Sequence, residues 1–242
     1  MSVALITGGG SGIGQALAWG LAEENHQVII IGRRETKLEA TAQRYPEQIS
    51  YLPADVGTEA GRAEIIAALP PHLKIDFLVH SAGIAEPLKT LPDISLSDWR
   101  SIQAVNVEAP LFLSQALLPK LREGARILNI SSGLAHEPLL GAMAYCSCKA
   151  ALHMLYLCLK NELAPYNITV GSMMPGIVDT EMQAHLRSKD EADLPTVAMF
   201  RNFPQNGALI SPQAVAEGIM YMLLGMNEEQ FSRKDWDIAE LI

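Results

Sequence analysis

Val3-Ala4-Leu5-Ile6-Thr7-Gly8-Gly9-Gly10-Ser11-Gly12-Ile13-Gly14 carries a strand-prone run of five residues straight into a glycine-rich corner. The apolar run predicts a strand over Val3 to Thr7, and the periodic stretch that follows predicts a helix over Ile13 to Glu24. Glycine at Gly8, Gly12 and Gly14 permits a tight turn and lets backbone approach a bulky anion. The amides around Ser11, Gly12 and Ile13 then point from the helix N-terminus at a negative charge such as a pyrophosphate. The spacing is Gly-x-x-x-Gly-x-Gly rather than Gly-x-Gly-x-x-Gly. The nucleotide reading therefore rests on the corner's place at the head of a βαβ unit.

Outward from that corner the pattern repeats. Short β-rich runs at Gln27 to Ile31, Ile49 to Pro53, Phe77 to His80, Arg126 to Ile130 and Thr169 to Met173 alternate with amphipathic stretches. The helices read as Glu35 to Tyr45, Glu59 to Leu69, Leu96 to Val107, Pro110 to Glu123, Ala142 to Ala164 and Pro212 to Leu224. This is the pattern of an α/β chain with a Rossmann-type, doubly wound parallel sheet flanked by helices. No linker, repeat or charge run divides residues 1–242, so one domain is expected. The segment 179–206 departs from the pattern, mixing Met182, Met199, Phe200 and Phe203 with charges. It follows a strand's carboxyl end and reads as a lid over a ligand.

Composition narrows the function classes. The 242 residues are 49% hydrophobic and 19% charged, with a net charge of −9 and an isoelectric point near 5.1. Such a charge opposes binding to a phosphate backbone, and no Lys/Arg stripe overrides it, so nucleic acid is not expected as a partner. The apolar start is too short for a signal-peptide core and no stretch is long enough to span a bilayer, which makes the cytoplasm the expected compartment. Cys146, Cys148 and Cys158 do not form a secreted disulfide framework. Residues one apart on a helix splay away from each other, so no metal site is expected from the cysteines.

The second strand ends in Gly32-Arg33-Arg34. An acidic residue in this place would bind the ribose 2′-hydroxyl of NAD. Glycine removes that carboxylate, and guanidinium groups offer charge-assisted bonds to a 2′-phosphate. NADP(H) is expected over NAD(H). Ala54-Asp55-Val56 and His80-Ser81-Ala82-Gly83, at the next two strand ends, suit an adenine and its ribose.

Downstream, Tyr145 and Lys149 share one face of a predicted helix, because residues four apart lie one turn from each other. A phenol beside a cation is a proton donor, and the cation should lower its pKa by favouring the phenolate. Ser131 and Ser132 end the preceding strand.

In this order the motifs resemble the short-chain dehydrogenase/reductase family over nearly the whole chain: Thr7 to Gly14, Asp55, Ala82-Gly83, Asn106, Ser132, Tyr145 with Lys149, and Pro175-Gly176 followed by Thr180. The resemblance implies hydride transfer between a nicotinamide cofactor and a carbonyl or alcohol carbon. It assigns Tyr145 as proton donor, Lys149 to the nicotinamide ribose, Ser132 (chosen over Ser131 by the family's spacing) to the carbonyl, and Asn106 to a relay water. Gly176, Val178 and Thr180 would meet the nicotinamide. One departure is His80-Ser81, where the family usually shows Asn-Asn.

Ile130-Ser131-Ser132-Gly133, Ala144-Tyr145-Cys146 and Val178 to Gln183 are similar to the branch holding sepiapterin reductase and bacterial benzil reductase. That likeness implies a bulky or aromatic α-dicarbonyl, or a pterin-like compound, as the small-molecule substrate. Met182 and Asp237 are the candidate substrate contacts, with Asp235 a rival carboxylate. Alternatives are a secondary-alcohol dehydrogenase and an NADP(H)-binding redox sensor without turnover. The helix bearing Leu152, Leu155, Tyr156 and Leu159 is apolar enough for a subunit contact, and the resemblance points to a homodimer or homotetramer.

Overall fold

The computed structural model describes Met1 to Ile242. Seven strands, β1 (Val3–Thr7), β2 (Gln27–Gly32), β3 (Ile49–Pro53), β4 (Ile75–His80), β5 (Leu121–Ile130), β6 (Thr169–Met174) and β7 (Asp235–Asp237), form one sheet in the order β3-β2-β1-β4-β5-β6-β7. Every pairing is parallel. Parallel neighbours need long crossovers, and these are the helices α1 (Gly12–Glu23), α2 (Glu35–Ala42), α3 (Glu59–Ala68), α4 (Leu96–Gln103), α5 (Ala109–Leu117) and α6 (Met143–Leu163). Shorter helices α7 (Glu181–Arg187), α8 (Val197–Asn202), α9 (Pro212–Met220) and α10 (Glu228–Phe231) follow β6. The strand order reverses between β1 and β4, the point at which an open α/β sheet leaves a crevice beyond its strand ends.

Alternation along the strands supplies both faces. Ala4, Ile6, Val28 and Ile30 pack with Leu17 and Leu21 of α1 and Val215 and Ile219 of α9. Leu5, Ile31, Leu78 and Ile127 point the other way, to Ile65 of α3, Leu113 of α5 and Tyr156 of α6. Each fully buried aliphatic side chain of this kind contributes about 1.5–3 kcal/mol relative to exposure. No helix is long and apolar enough to cross a membrane.

Three differences from the expected elements have local causes. The edge strand β7 is Asp-Trp-Asp, too short and too charged to read as a strand; pairing with Ser172–Met174 and burial of Trp236 in the core hold it in place. The helix expected to reach Glu123 stops at Leu117, because Pro119 lacks the N–H needed to continue; β5 starts at Leu121, and Gly124, at φ +81°, lies within it where the register with β4 is irregular. The two helices expected over Leu96 to Val107 and Pro110 to Glu123 are one run, joined by a π turn over Ala104–Glu108 in which the Ala109 N–H reaches Ala104 O. Pro110 offers no N–H to the Asn106 carbonyl four residues back, and the wider turn accommodates that loss.

Candidate active site

The crevice at the β1/β4 switch point is lined from end to end by residues of the glycine corner, the β2, β3 and β4 ends, α6 and the start of α7. Gly8 and Gly12 have φ of +75° and +56°, values that favour glycine. A Cβ on Gly8 would lie 2.8 Å from Ala82 N, and one on Gly14 would lie 2.6 Å from Gly8 O. Thr7 ties this corner to the neighbouring strand: its Oγ1 accepts from the Ser81 and Ala82 N–H groups at 3.1 Å each. Ser11 is the N-cap of α1 but makes no capping bond, so the first-turn amides keep no side-chain acceptor while Gly12 and Ile13 line the cleft. These features fit a pyrophosphate at the helix N-terminus.

Beside the corner lies a cluster of cations. Arg33, Arg34 and Lys37 all line the cleft, as do Asp55 and Val56. Arg34 donates to Ser11 Oγ at 2.9 Å and to Glu181 Oε2 at 2.7 Å, while Lys37 donates to Glu181 Oε1 at 2.8 Å. Arg33 stands 3.8 Å from Asp55. The bonds from Lys37 and Arg34 hold the Glu181 carboxyl below the usual range. The sequence suggests a corner free of carboxylates at the end of β2. The fold corrects this by bringing Glu181 there from the start of α7.

At the far end, Tyr145 and Lys149 face the cleft from α6 as expected. Lys149 is 6% exposed and donates from Nζ to Ile130 O at 2.8 Å, with its ammonium 5.6 Å from the centre of the Tyr145 ring. Burial pulls the Lys149 pKa down to about 8 and pushes the Tyr145 phenol up to about 12. The phenol thus stands above its ordinary value rather than below it as expected, with burial the largest cause and the Lys149 ammonium directed at Ile130 O. The Ser132 hydroxyl, which accepts from Leu134 N at 3.2 Å, acts against burial by lowering the phenol's pKa. Ser131, by contrast, is 2% exposed with an unpartnered hydroxyl.

Asn106 lies in the π turn, 1% exposed, and its side chain is engaged at both ends: Oδ1 accepts from Ile84 N at 2.9 Å and Nδ2 donates to Ile84 O at 2.8 Å. It thereby fixes the loop that follows Ala82 and Gly83, both of which line the cleft. His80 replaces the family's asparagine with a buried imidazole, held 2.9 Å from Ser114 Oγ on α5 and kept neutral by burial, which lowers its pKa to about 3.

The segment after β6 closes over this end. Gly176 has φ +69°, Val178 is buried, and the Ile177 carbonyl is taken by Ile210 N at 2.8 Å. Thr180 caps α7 by accepting from Gln183 N at 3.3 Å, and its methyl would lie 3.0 Å from a Cβ on Gly12. Leu186, Leu194, Val197, Phe200 and Phe203 cluster with Leu88, Ala142 and Tyr145. His185 and Lys189 anchor the segment to Glu86, in the loop after β4. Met182 lines the cleft whereas Met199 is exposed. Asp237 ends β7, caps Ala239 N at 2.9 Å and does not line the cleft; Asp235 turns instead toward His136 and His153.

A model described as short chain dehydrogenase matches residues 2–191. The chain belongs to the short-chain dehydrogenase family. A benzil reductase ((S)-benzoin forming) of Bacillus cereus is 31% identical over 234 residues, covering 92% of this chain and 94% of that protein. A serine 3-dehydrogenase of Agrobacterium fabrum is 36% identical over 179 residues, covering 73% of this chain and 72% of its own. Among solved structures, a short-chain dehydrogenase/reductase of Saccharomyces cerevisiae superposes with a TM-score of 0.91 at 25% identity, with 100% of both chains covered. The closed form of a serine dehydrogenase complexed with NADP+ gives 0.79 at 25% identity, covering 92% of this chain and 89% of that one. The chain is thus an oxidoreductase of carbonyl or alcohol groups, in a family that binds a nicotinamide cofactor.

Two cleft residues escape a reading of the sequence. Lys37 follows Arg34 by three positions, one helical turn, and that spacing was available as a signal. Glu181 is 147 positions from Arg34, with no local cue to join them.

Proposed function

We propose that this chain is an NADPH-dependent carbonyl reductase acting on a bulky or aromatic α-dicarbonyl, or a pterin-like compound. The observation that carries the reading is the single cleft that joins the glycine corner and its three cations to the Tyr145 phenol. Ser11, Arg34 and Lys37 offer a hydroxyl and two cations to a 2′-phosphate, and Arg33 can stack on adenine above Asp55 and Val56. When bound, the nicotinamide supplies or accepts the hydride; the remaining tasks fall to the chain.

Reduction builds negative charge on the carbonyl oxygen, so a donor is needed where that charge develops. Tyr145, with its pKa pushed up to about 12, holds its proton at neutral pH and gives it to the nascent alkoxide. Ser132 orients the carbonyl beside the phenol. Lys149 holds ribose hydroxyls and its charge stabilises the phenolate left behind. Since the Asn106 side chain is committed to Ile84, its contribution to a proton relay passes through its backbone carbonyl, which lacks a partner at Pro110. Gly176, Val178 and Thr180 flank the nicotinamide.

The substrate class is supported by the apolar cluster of the lid, 179–206, in which Leu194, Val197 and Phe200 form a buried patch that Tyr145, Leu186 and Phe203 pack against, and by the likeness to benzil reductase. The likeness to serine 3-dehydrogenase favours a second reading, oxidation of a small polar alcohol. Purified protein should oxidise NADPH with benzil or sepiapterin. Tyr145→Phe should retain cofactor binding and lose ~100-fold or more of the turnover, as expected for a missing proton donor. Turnover of serine with NADP+, and none of any diketone, pterin or quinone, would transfer the assignment to the second reading.

The same proposal makes the protein a cytoplasmic homo-oligomer without nucleic-acid partners. Its three free thiols suit a reducing compartment. Leu152 and Tyr156, expected at a subunit contact, are core residues; the exposed apolar surface on α6 belongs to Met143, Met154 and Leu157, with Phe112 on α5. A monomeric mass at micromolar concentration would remove the oligomer.

A further inference from the structure

Outside the lining of the cleft, three potential ligands from different elements of the chain meet. His136 lies in the turn after Ser132, His153 is one turn beyond Lys149 on α6, and Asp235 opens β7; His136 and Asp235 are 99 positions apart. Their ligand atoms all fall within 4.8 Å of one another. His136 Nε2 is 3.1 Å and His153 Nδ1 is 3.3 Å from the same oxygen, Asp235 Oδ2.

We propose that His136, His153 and Asp235 form a binding site for a divalent transition-metal ion of the zinc class. Two histidines and a carboxylate are a donor set such ions favour, and three protein ligands leave a position for water. With bonds of about 2.0–2.1 Å, a tetrahedral ion holds its ligand atoms ~3.3–3.4 Å apart. The two measured separations are close to that edge. The longest gap narrows by rotation of the His136 ring, whose side chain is 42% exposed.

Hydrogen bonding alone explains the cluster less well. The Asp235 side chain is 6% exposed, and its Oδ1 has no hydrogen-bond partner. His153 Nδ1 is also buried without one: it lies near Oδ2 but off the line that an N–H···O bond requires. A nitrogen aimed beside an oxygen rather than at it matches two ligands directed at a common third point. Unpartnered buried polar atoms are uncommon and costly, and a cation on the cluster would satisfy the nitrogen and the carboxylate together. Asp235 also favours the Lys149 ammonium electrostatically. A cation seated on Asp235 is therefore felt at the reactive end of α6.

Full-length, metal-stripped protein would be titrated with Co2+, followed by its d–d absorption, and with Zn2+ in equilibrium dialysis. One ion should bind per chain at low-micromolar metal, with no thiolate charge-transfer band. His136→Asn and His153→Gln should each weaken binding ~10-fold or more, since even the outer partners of metal ligands act on that scale. His136 is in an exposed turn, so its variant keeps the fold and the test remains informative if an Asp235→Asn protein fails to fold. Binding unchanged in His136→Asn and His153→Gln, a thiolate band from Cys146 or Cys148, or no binding at all would overturn the proposal.

Discussion

Glu181→Gln is expected to tighten NADPH binding while leaving NADH nearly unchanged. In the structure one carboxylate bridges Arg34 at 2.7 Å and Lys37 at 2.8 Å. A 2′-phosphate must draw both cations away from it and then remain close to its negative charge. The side chains of Glu181, Arg34 and Lys37 are 52%, 55% and 47% exposed, so solvent screens both pairs. Each such pair stabilises by ~0.2–1 kcal/mol. Removing both competitors therefore shifts NADPH affinity by about 0.4–2 kcal/mol, or roughly two- to thirtyfold. NADH carries no 2′-phosphate and gains little.

Cofactor titrations at two ionic strengths would measure the effect, with the difference between wild type and variant shrinking as salt rises. The refuting result is specific. If Glu181 takes the role of the acidic residue missing from the end of β2 and binds a ribose 2′-hydroxyl, the variant will weaken NADH and leave NADPH unmoved. That outcome would reverse the cofactor assignment.

Other expectations follow from the site and its surroundings. With Lys149 held near a pKa of about 8, kcat/KM for carbonyl reduction should fall as pH rises through that value; a profile flat to pH ~10 would contradict a working ammonium. The same group binds fewer protons folded than unfolded between about 8 and 10.5, so its contribution to stability rises with pH across that window. Ser132→Ala should lose ~100-fold in turnover, as for an oxyanion donor, and Ser131→Ala much less; equal losses would show that the pair has been misassigned. His80, lowered from 6.5 to about 3, resists protonation only while folded, so stability is full above about 6.5 and declines as acid approaches 3. His80→Asn, which does not titrate, should flatten that part of the melting-temperature profile.

The parts of the fold that were legible in sequence are those imposed by short-range backbone requirements. Gly14 is glycine because a Cβ would strike Gly8 O at 2.6 Å, and Gly8 and Gly12 are glycines because the turn gives them φ of +75° and +56°, so each constraint appears within a few residues of its cause. The unbroken apolar runs in Val3–Thr7 and Gln27–Gly32 likewise report two buried faces directly. β7 was illegible because pairing along Ser172–Met174 and one buried tryptophan hold it, rather than any pattern of its own. The end of α5 is hidden despite Pro119, since the apolar residues run on through Leu121 and obscure the stop.

The candidate site divides along the same line. Tyr145 and Lys149 were found because one helical turn relates them, and Arg33 and Arg34 because a strand end does. The arrival of Glu181 beside Arg34 and the meeting of His136, His153 and Asp235 both depend on crossovers that close late in the chain. The glycine-corner end is thus built from backbone corners and local turns, whereas the apolar cluster against which Tyr145 packs is built from the segment 179–206 together with Leu88 and Ala142. Substitutions at Leu186, Phe200 or Phe203 can reshape what reaches the phenol without disturbing the glycine corner or the position of Lys149. For that reason the chemistry of this chain is readable from its motifs, while the substrate choice proposed above rests on a segment whose contacts appear only once the sheet has brought β6 and the loop after β4 together.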